Sequence, residues 1–577
     1  MRNGHYQWLK KRYLSGHRWG GWSPLTIACG ACLFFSGAAL ARPPQLRSSN
    51  ASLPGYAIAT ESRTASREAG QVLAQGGTAA DAAIVAALVA GVTSPTSSGI
   101  GGGGFLVGWD AKTGTSYVID FRETAPRGQR KKSTASTSAS ASAAPGSFIG
   151  VPGEVRGLFA LHQRAGKLPW RDLVKRASHR ATQGFTVERH LASMLAYRQK
   201  KLQGIGGFSS LFYPGGRPAL VGMRLTHPAL GRTLEKIAAQ GPSAFYEGKV
   251  AENIVKVAQD HGSTLSLEDL RNYKVQQRQA LKIDYNGYEI YTMPPPSAGG
   301  LLMAQTLKMF SADYLQNLGH GSPAYQHVLA EAFRGAIADR MRYLGDPQFE
   351  KFSLGELLDE ERLEKRRKKI VLDRTHSIPR FGLKEKGTHA LVSADKSGNT
   401  ISLTTTINHL FGAKIYAQQS GIVLNNELAD FNSFEQVKFL GLSESPNRYR
   451  PQARPVSSMT PTIVVKYQQP VLALGGSGGT AIATNVTQAL LSALVFDHEP
   501  QKAVAAKRFY IPTQGAHISL EKGAQMDHIR NLERRGEIVT TMKFTTSAVQ
   551  MLRMDGGKMR GASDPRKHGL SLTQTIR

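Results

Sequence analysis

Only two cysteines occur in the 577-residue chain, Cys29 and Cys32, and both lie near its start. Beyond residue 32 a disulfide framework, a cysteine nucleophile and a thiolate-held metal are all excluded. Read as a C-x-x-C metal pair, these two have no partner cysteines elsewhere. Acidic residues are also few: 42 Asp and Glu stand against 72 Lys and Arg, giving a formal net charge of +30. The basic residues are nevertheless spread out, with local clusters at 127–132 and 362–369. No nucleic-acid-binding motif accompanies them and aromatic residues are not interleaved with them, so no nucleic-acid partner is expected. The G-x-x-x-x-G-K-[ST] pattern is missing, which disfavours a P-loop. No repeat period is evident.

What is present is a globular composition, 41% hydrophobic and 20% charged, enough for a sizeable core. Lys10, Lys11, Arg12 and Arg18 precede an apolar run over 22–41 that ends in Ala39-Leu40-Ala41. This is the pattern of a secretory signal peptide, or of a membrane anchor if it is retained. The expectation is an exported protein, periplasmic or extracellular. If the segment is removed, the mature chain has no cysteine.

Residues 66–92 carry the amphipathic spacing of helices. A glycine-dense turn, S-S-G-I-G-G-G-G-F-L-V, then runs into a strand. The Ser/Ala/Thr-rich tract 131–144 reads as a mobile loop. Residues 152–281 are mainly helical by pattern, and further helices are expected from 301, over 324–343 and over 356–369. Residues 372–386 have the composition of an exposed linker. From 388 the character changes: A-L-V-S-A-D, a K-S-G-N turn and T-I-S-L-T-T-T-I-N predict a β-hairpin. Strands are expected at 421–424, 462–465 and 471–474, and a helix over 483–496. The first part thus reads as helix-rich and the second as strand-rich, meeting at the linker.

At that junction stands Gly387-Thr388. A threonine hydroxyl is a poor nucleophile without a base beside it. Its own α-amino group can serve, and exists only if the chain is cut before Thr388. Gly387 tolerates backbone angles that would let the Thr388 hydroxyl attack the Gly387 carbonyl in an N-to-O acyl shift. Such an enzyme needs donors for a developing oxyanion. G-G-S-G-G-T at 475–480, between strand and helix, could present backbone N–H groups, although a plain strand-to-helix turn has the same composition. Arg122, in D-F-R-E, could hold a carboxylate bidentately, or form a surface ion pair with Glu123 or Asp120. Glu427 and Asp430, in N-N-E-L-A-D-F, could hold an ammonium group, or be acidic residues at a helix start.

Taken together, G-I-G-G-G-G-F-L, D-F-R-E-T-A-P, M-P-P-P-S-A-G-G, Y-L-G-D-P, S-G-I-V-L-N-N-E-L-A-D-F, R-P-V-S-S-M-T-P-T-I-V and G-A-S-D-P-R resemble the γ-glutamyltransferases, or glutathione hydrolases, of the N-terminal nucleophile hydrolase superfamily. The resemblance runs from about residue 57 to 566. It implies an α+β fold, a four-layer αββα sandwich built jointly by two subunits cut from one precursor. The large subunit would span 42–387 and the small, catalytic subunit 388–577. It further implies that Thr388 is the nucleophile and that Thr406 supports it by a hydrogen bond. The N–H groups of Gly478 and Gly479 would form the oxyanion hole. Arg122, Ser457 and Ser458 would hold the α-carboxylate of a γ-glutamyl group, and Asn408, Glu427 and Asp430 its α-amino group. No metal or organic cofactor is implied. Substrates would be glutathione and other γ-glutamyl compounds, with water, amino acids or dipeptides as acceptors.

Two departures from the family pattern stand out. The family has T-x-H at the cleavage site, whereas this chain has Thr388-His389-Ala390. A one-residue slip would put Gly387 at the nucleophile position, so Thr388 is retained. The lid segment between Asp430 and Ser457 has no clear aromatic gate, Phe439 being the nearest candidate. Alternatives on the same fold are a β-lactam acylase, a poly-γ-glutamate transferase and an uncleaved binding relative.

Overall fold

The computed structural model describes residues 55–128, 144–376, 387–439, 441–511, 517–542 and 547–575. The N-terminal segment, most of the 131–144 tract and the last ten residues before Gly387 lie outside these. In chain order the main strands are β1 (Gly55–Thr60), β2 (Gly103–Asp110), β3 (Thr115–Phe121), β4 (Gln276–Arg278), β5 (Leu281–Tyr285), β6 (Tyr288–Thr292), β7 (His389–Ala394), β8 (Thr400–Thr406), β9 (Thr462–Lys466), β10 (Gln469–Ser477), β11 (Ala548–Asp555), β12 (Lys558–Ser563) and β13 (Leu570–Thr575). Eight helices frame the site: α1 (Arg63–Ala74), α2 (Ala79–Thr93), α3 (Glu154–Ala165), α4 (Trp170–Gln183), α5 (Arg189–Leu202), α6 (Gly299–Met309), α7 (Pro323–Tyr343) and α8 (Ala481–Leu494).

Two antiparallel sheets form the centre. One has the order β13-β1-β7-β8-β2-β3-β4, the other β12-β11-β10-β9-β6-β5. The period-two alternation of side chains explains the layering. From the first sheet Ile58, Leu106, Leu391 and Leu403 turn outward onto the apolar faces of α1 to α5. Their neighbours Ala57, Ala59, Phe105, Val107, Val392 and Ala394 turn inward, joining Ile463, Val464, Leu472 and Leu474 of the second sheet. That second core continues into α6, α7 and α8. Helices, sheet, sheet and helices therefore stack as an αββα sandwich, as expected.

The strands after Thr388 are not a separate lobe. β7 and β8 sit between β1 and β2, and β9 to β12 extend the sheet begun by β5 and β6. Chain from both sides of Gly387-Thr388 thus builds both sheets. The contrast of a helix-rich first part and a strand-rich second part holds only loosely, since six of these strands precede residue 388. The β7–β8 hairpin forms where the sequence predicts it. Asp395 closes its turn, accepting from the backbone N–H of Ser397 at 2.9 Å and of Asn399 at 3.2 Å. The helix expected over 356–369 is broken: Leu354–Leu357 forms one turn, and Asp359 caps a second helix, Glu360–Lys369, through the N–H of Arg362.

Candidate active site

Thr388 directly precedes β7, so the sheet fixes it one residue from a continuous ladder. It is buried, at 3% exposure. Its hydroxyl donates to the carbonyl oxygen of Gly387, and the Thr406 hydroxyl donates to the same oxygen at 3.2 Å. Gly387 has φ +101°, and a Cβ there would stand 2.3 Å from the carbonyl oxygen of Asn408. Only glycine fits that backbone and that gap. Two hydroxyls therefore converge on the carbonyl of the Gly387–Thr388 peptide bond.

Thr406 ends β8, paired with Gly103 of β2. Its hydroxyl oxygen accepts from the backbone N–H of Asn408 at 2.8 Å, which turns the O–H toward Gly387. The Asn408 side chain donates to Asp430 at 2.8 Å and to the carbonyl of Asn426 at 3.2 Å. Asn408 thus joins the Thr388 end of the site to a charged cluster.

That cluster centres on Arg122, which lies just beyond β3 and is 1% exposed. Its guanidinium pairs with Glu427 and, at 2.7 Å, with Asp430. Its Nε donates to the carbonyl of Pro455 at 3.2 Å. The surface ion pair considered from sequence does not form. Asp120 takes only the backbone N–H of Arg122, while its carboxylate pairs with Arg278 and Arg454. Glu427 and Asp430 bound a one-turn helix and are both buried. Asn425 holds that turn: its side chain accepts from the N–H groups of Gly150 and Glu427 and donates to the carbonyls of Gly101 and Gly150.

Electrostatics at the cluster are unbalanced. Three carboxyls, Glu123, Glu427 and Asp430, surround one guanidinium. Burial pushes Glu123 up to about 7 against the pull of Arg122. Burial also drives Glu427 well above the usual range, with Glu123 and Asp430 adding repulsion that Arg122 only partly offsets. A second cation would favour the ionised forms of these carboxyls.

Ser457 and Ser458 follow Pro455 in an irregular segment bridged to Ser297. Each hydroxyl oxygen already accepts from a fixed donor. Ser457 accepts from the N–H of Met459 at 3.1 Å, and Ser458 from Arg340 of α7. Their own O–H groups remain suited to donate to an anion. Gly478 and Gly479 lie between β10 and α8, with φ +119° and +67°. A Cβ on Gly478 would come within 2.6 Å of Ser547. The strand-to-helix turn is shorter than the 475–480 expected, because β10 continues to Ser477 and leaves only residues 478–480 before α8.

Two residues were not foreseen. Lys567 is 3% exposed and donates to Glu61 at 2.8 Å, to the carbonyl of Thr388 at 3.0 Å and to the Ser477 hydroxyl at 2.6 Å. It ties the start of β7 to the turn carrying Gly478. A basic residue following G-A-S-D-P-R was its only sequence signal. Arg340 lies in a helix read from periodicity alone, and nothing in its spacing marks it. Ala390, where the resemblance leads one to expect histidine, is fully buried in β7 opposite Thr404. His389 is also buried, and burial with the nearby Lys567 charge lowers it to about 3, so it is neutral. Between Asp430 and Ser457, Asn447 bonds the carbonyl of Asp430 at 2.8 Å and the N–H of Val456 at 2.9 Å, fastening both ends of that segment. The side chain of Phe439 lies outside the described residues.

Comparison with known proteins gives the family of the chain. The family model for gamma-glutamyltranspeptidase matches residues 65–573. The glutathione hydrolase proenzyme of Bacillus subtilis (strain 168) is 32% identical over 543 residues, covering 89% of this chain and 91% of that protein. Glutathione hydrolase 2 of Arabidopsis thaliana is 35% identical over 552 residues, covering 89% and 93%. Among solved structures, cephalosporin acylase from Bacillus halodurans superposes with a TM-score of 0.79 at 24% identity, over 94% of this chain and 99% of that one, a likeness of fold. The chain belongs to the γ-glutamyltranspeptidase family.

Proposed function

We propose that the protein is a self-processing glutathione hydrolase and γ-glutamyltransferase with Thr388 as its nucleophile. The observation that carries this reading is the joining, through Asn408, of two hydroxyls on the Gly387 carbonyl to the buried Arg122–Glu427–Asp430 cluster. In the precursor the Thr388 oxygen attacks the Gly387 carbonyl carbon, and the Thr406 O–H stabilises the oxyanion. Collapse breaks the C–N bond, the Thr388 nitrogen leaving as an amine with the proton lost by the hydroxyl, and gives an ester that water hydrolyses to the Gly387 carboxylate. Gly387 then ends the large subunit, 42–387, and Thr388 begins the small subunit, 388–577, with a free α-amine.

In the mature enzyme that amine takes the hydroxyl proton as Thr388 attacks the γ-carbonyl of a γ-glutamyl compound. The Gly478 and Gly479 N–H groups stabilise the oxyanion, and the proton passes to the leaving amine. Water, an amino acid or a dipeptide then takes the γ-glutamyl group from the ester. Arg122 with the Ser457 and Ser458 hydroxyls receives the substrate α-carboxylate. Asp430, Glu427 and Asn408 receive its ammonium, the second cation that favours the ionised forms of the carboxyls there. Holding both ends makes the attack effectively intramolecular. This two-ended clamp supports a γ-glutamyl substrate over a β-lactam side chain lacking the α-amine. From residues 10–41 we further propose export, to the periplasm or the exterior.

Intact mass and N-terminal sequencing of purified protein test the reading. Two fragments with a new terminus at Thr388, and hydrolysis of γ-glutamyl-p-nitroanilide, are expected. Thr388→Ala should remain one inactive chain; a Thr388→Ala protein that still divides would sink the proposal. A single uncut wild-type species would instead favour the binding relative.

A further inference from the structure

The Lys567–Glu61 ion pair beneath Thr388 has no part in the scheme above. All three donors of the ammonium are engaged, by Glu61, the Thr388 carbonyl and Ser477. The other Glu61 oxygen accepts from the N–H of Ala390 at 3.1 Å. Both side chains are 3% exposed. A buried ammonium could simply pin the backbone. Its position gives it a second effect.

The nitrogen and carbonyl oxygen of one residue lie about 3.6 Å apart or less. With Nζ 3.0 Å from the Thr388 oxygen, the amine released by processing forms within about 7 Å of the Lys567 charge. A neighbouring cation disfavours protonation of an amine, and an anion favours it. The other titratable groups facing Lys567 are His389 on β7 and His190 on α5, with His568 next in the chain. Burial, reinforced by Lys567, holds both His389 and His190 at about 3, so neither carries charge near neutrality. Burial raises Glu61 while Lys567 opposes it. On this side of Thr388 the field on the new amine comes from Lys567 and Glu61, while Arg122, Glu427 and Asp430 face it from beyond Asn408 and are unchanged in the variants below.

We propose that Lys567 is a positioning residue that keeps the Thr388 α-amine unprotonated and ready to act as base, with Glu61 tempering its charge. This rests on Thr388 being the processed nucleophile. Neutralising the two partners should shift the amine in opposite directions, which a purely structural role does not predict.

The test is the pH dependence of kcat/KM for γ-glutamyl-p-nitroanilide, whose acid limb reports the free enzyme's base. Lys567→Met should move that limb up by about one pH unit. Lys567→Arg, which keeps the charge, should leave it at the wild-type position. Glu61→Gln should move it down by about half a unit. A Lys567→Met limb coincident with wild type overturns the proposal, even if kcat falls. If Lys567→Met is not processed, the Glu61→Gln and Lys567→Arg pair decides, and a Glu61→Gln limb that stays or rises overturns it. N-terminal sequencing of the same wild-type preparation checks the cut before Thr388, so failure of the nucleophile assignment is seen separately.

Discussion

The hydroxyl of Thr406 lies 3.2 Å from the carbonyl oxygen of Gly387, the oxygen to which the Thr388 hydroxyl also donates. A donor aimed at that oxygen lowers the barrier to attack on its carbon, because negative charge gathers there in the transition state. The Asn408 N–H fixes the donor's direction from behind.

Thr406→Val keeps the β-branched shape and loses the donor. Self-cleavage should slow roughly 100-fold, the cost typical of one missing oxyanion donor. Thr406→Ser should process at close to the wild-type rate. A time course of precursor loss on denaturing gels measures both. Equal rates for Thr406→Val and wild type would remove Thr406 from the processing step.

The clamp makes a different prediction, about substrate choice. Asp430 bonds Arg122 at 2.7 Å and Asn408 at 2.8 Å, and both contacts are buried. Asp430→Asn keeps the shape and removes one charge facing the proposed ammonium site. Truncating one partner of a buried charge pair costs about 2–5 kcal/mol, so kcat/KM on γ-glutamyl-p-nitroanilide should fall at least about 30-fold. Glutaryl-p-nitroanilide has no α-amine, and its rate should change far less. Parallel losses on both substrates would mean that Asp430 supports the fold and does not read the amine.

Much of this was legible in the sequence because local rules and chemistry coincided. The β7–β8 hairpin follows from alternation around K-S-G-N, and the Gly478 turn from glycines between an apolar run and a helix. Arg122 was legible only through its motif. Taken singly, an arginine beside Asp120 and Glu123 reads as a surface pair, since the chain gives no sign that residues 427 and 430 return to it. Lys567 and Arg340 were illegible for the same reason. Each acts through tertiary contacts across long stretches of chain, Lys567 reaching Glu61 and Arg340 reaching Ser458. The central place of β7 and β8 in a sheet begun by β1 was likewise beyond any periodicity.

Glu154 carries a pH prediction whose sign can be worked out. It opens α3, is 1% exposed, and accepts the Thr405 hydroxyl at 2.6 Å. Burial raises its carboxyl to about 8, the Thr405 bond opposing and Glu123 adding. In the unfolded chain the same group titrates near 4.3. Between those values the folded state holds a proton that the unfolded state has lost. Stability from this group is therefore full below about pH 4, falls as pH rises, and stays low above about pH 8. Glu154→Gln keeps an oxygen to accept from Thr405 and has no proton to lose. The variant should match wild type near pH 4 and gain about 5 kcal/mol by pH 8.5, since each of the nearly four pKa units is worth about 1.4 kcal/mol. Denaturant midpoints at pH 4, 6 and 8.5 measure the gain. A difference that does not grow with pH would show that Glu154 ionises freely in the folded protein, and the buried carboxyl would then need a cation beside it.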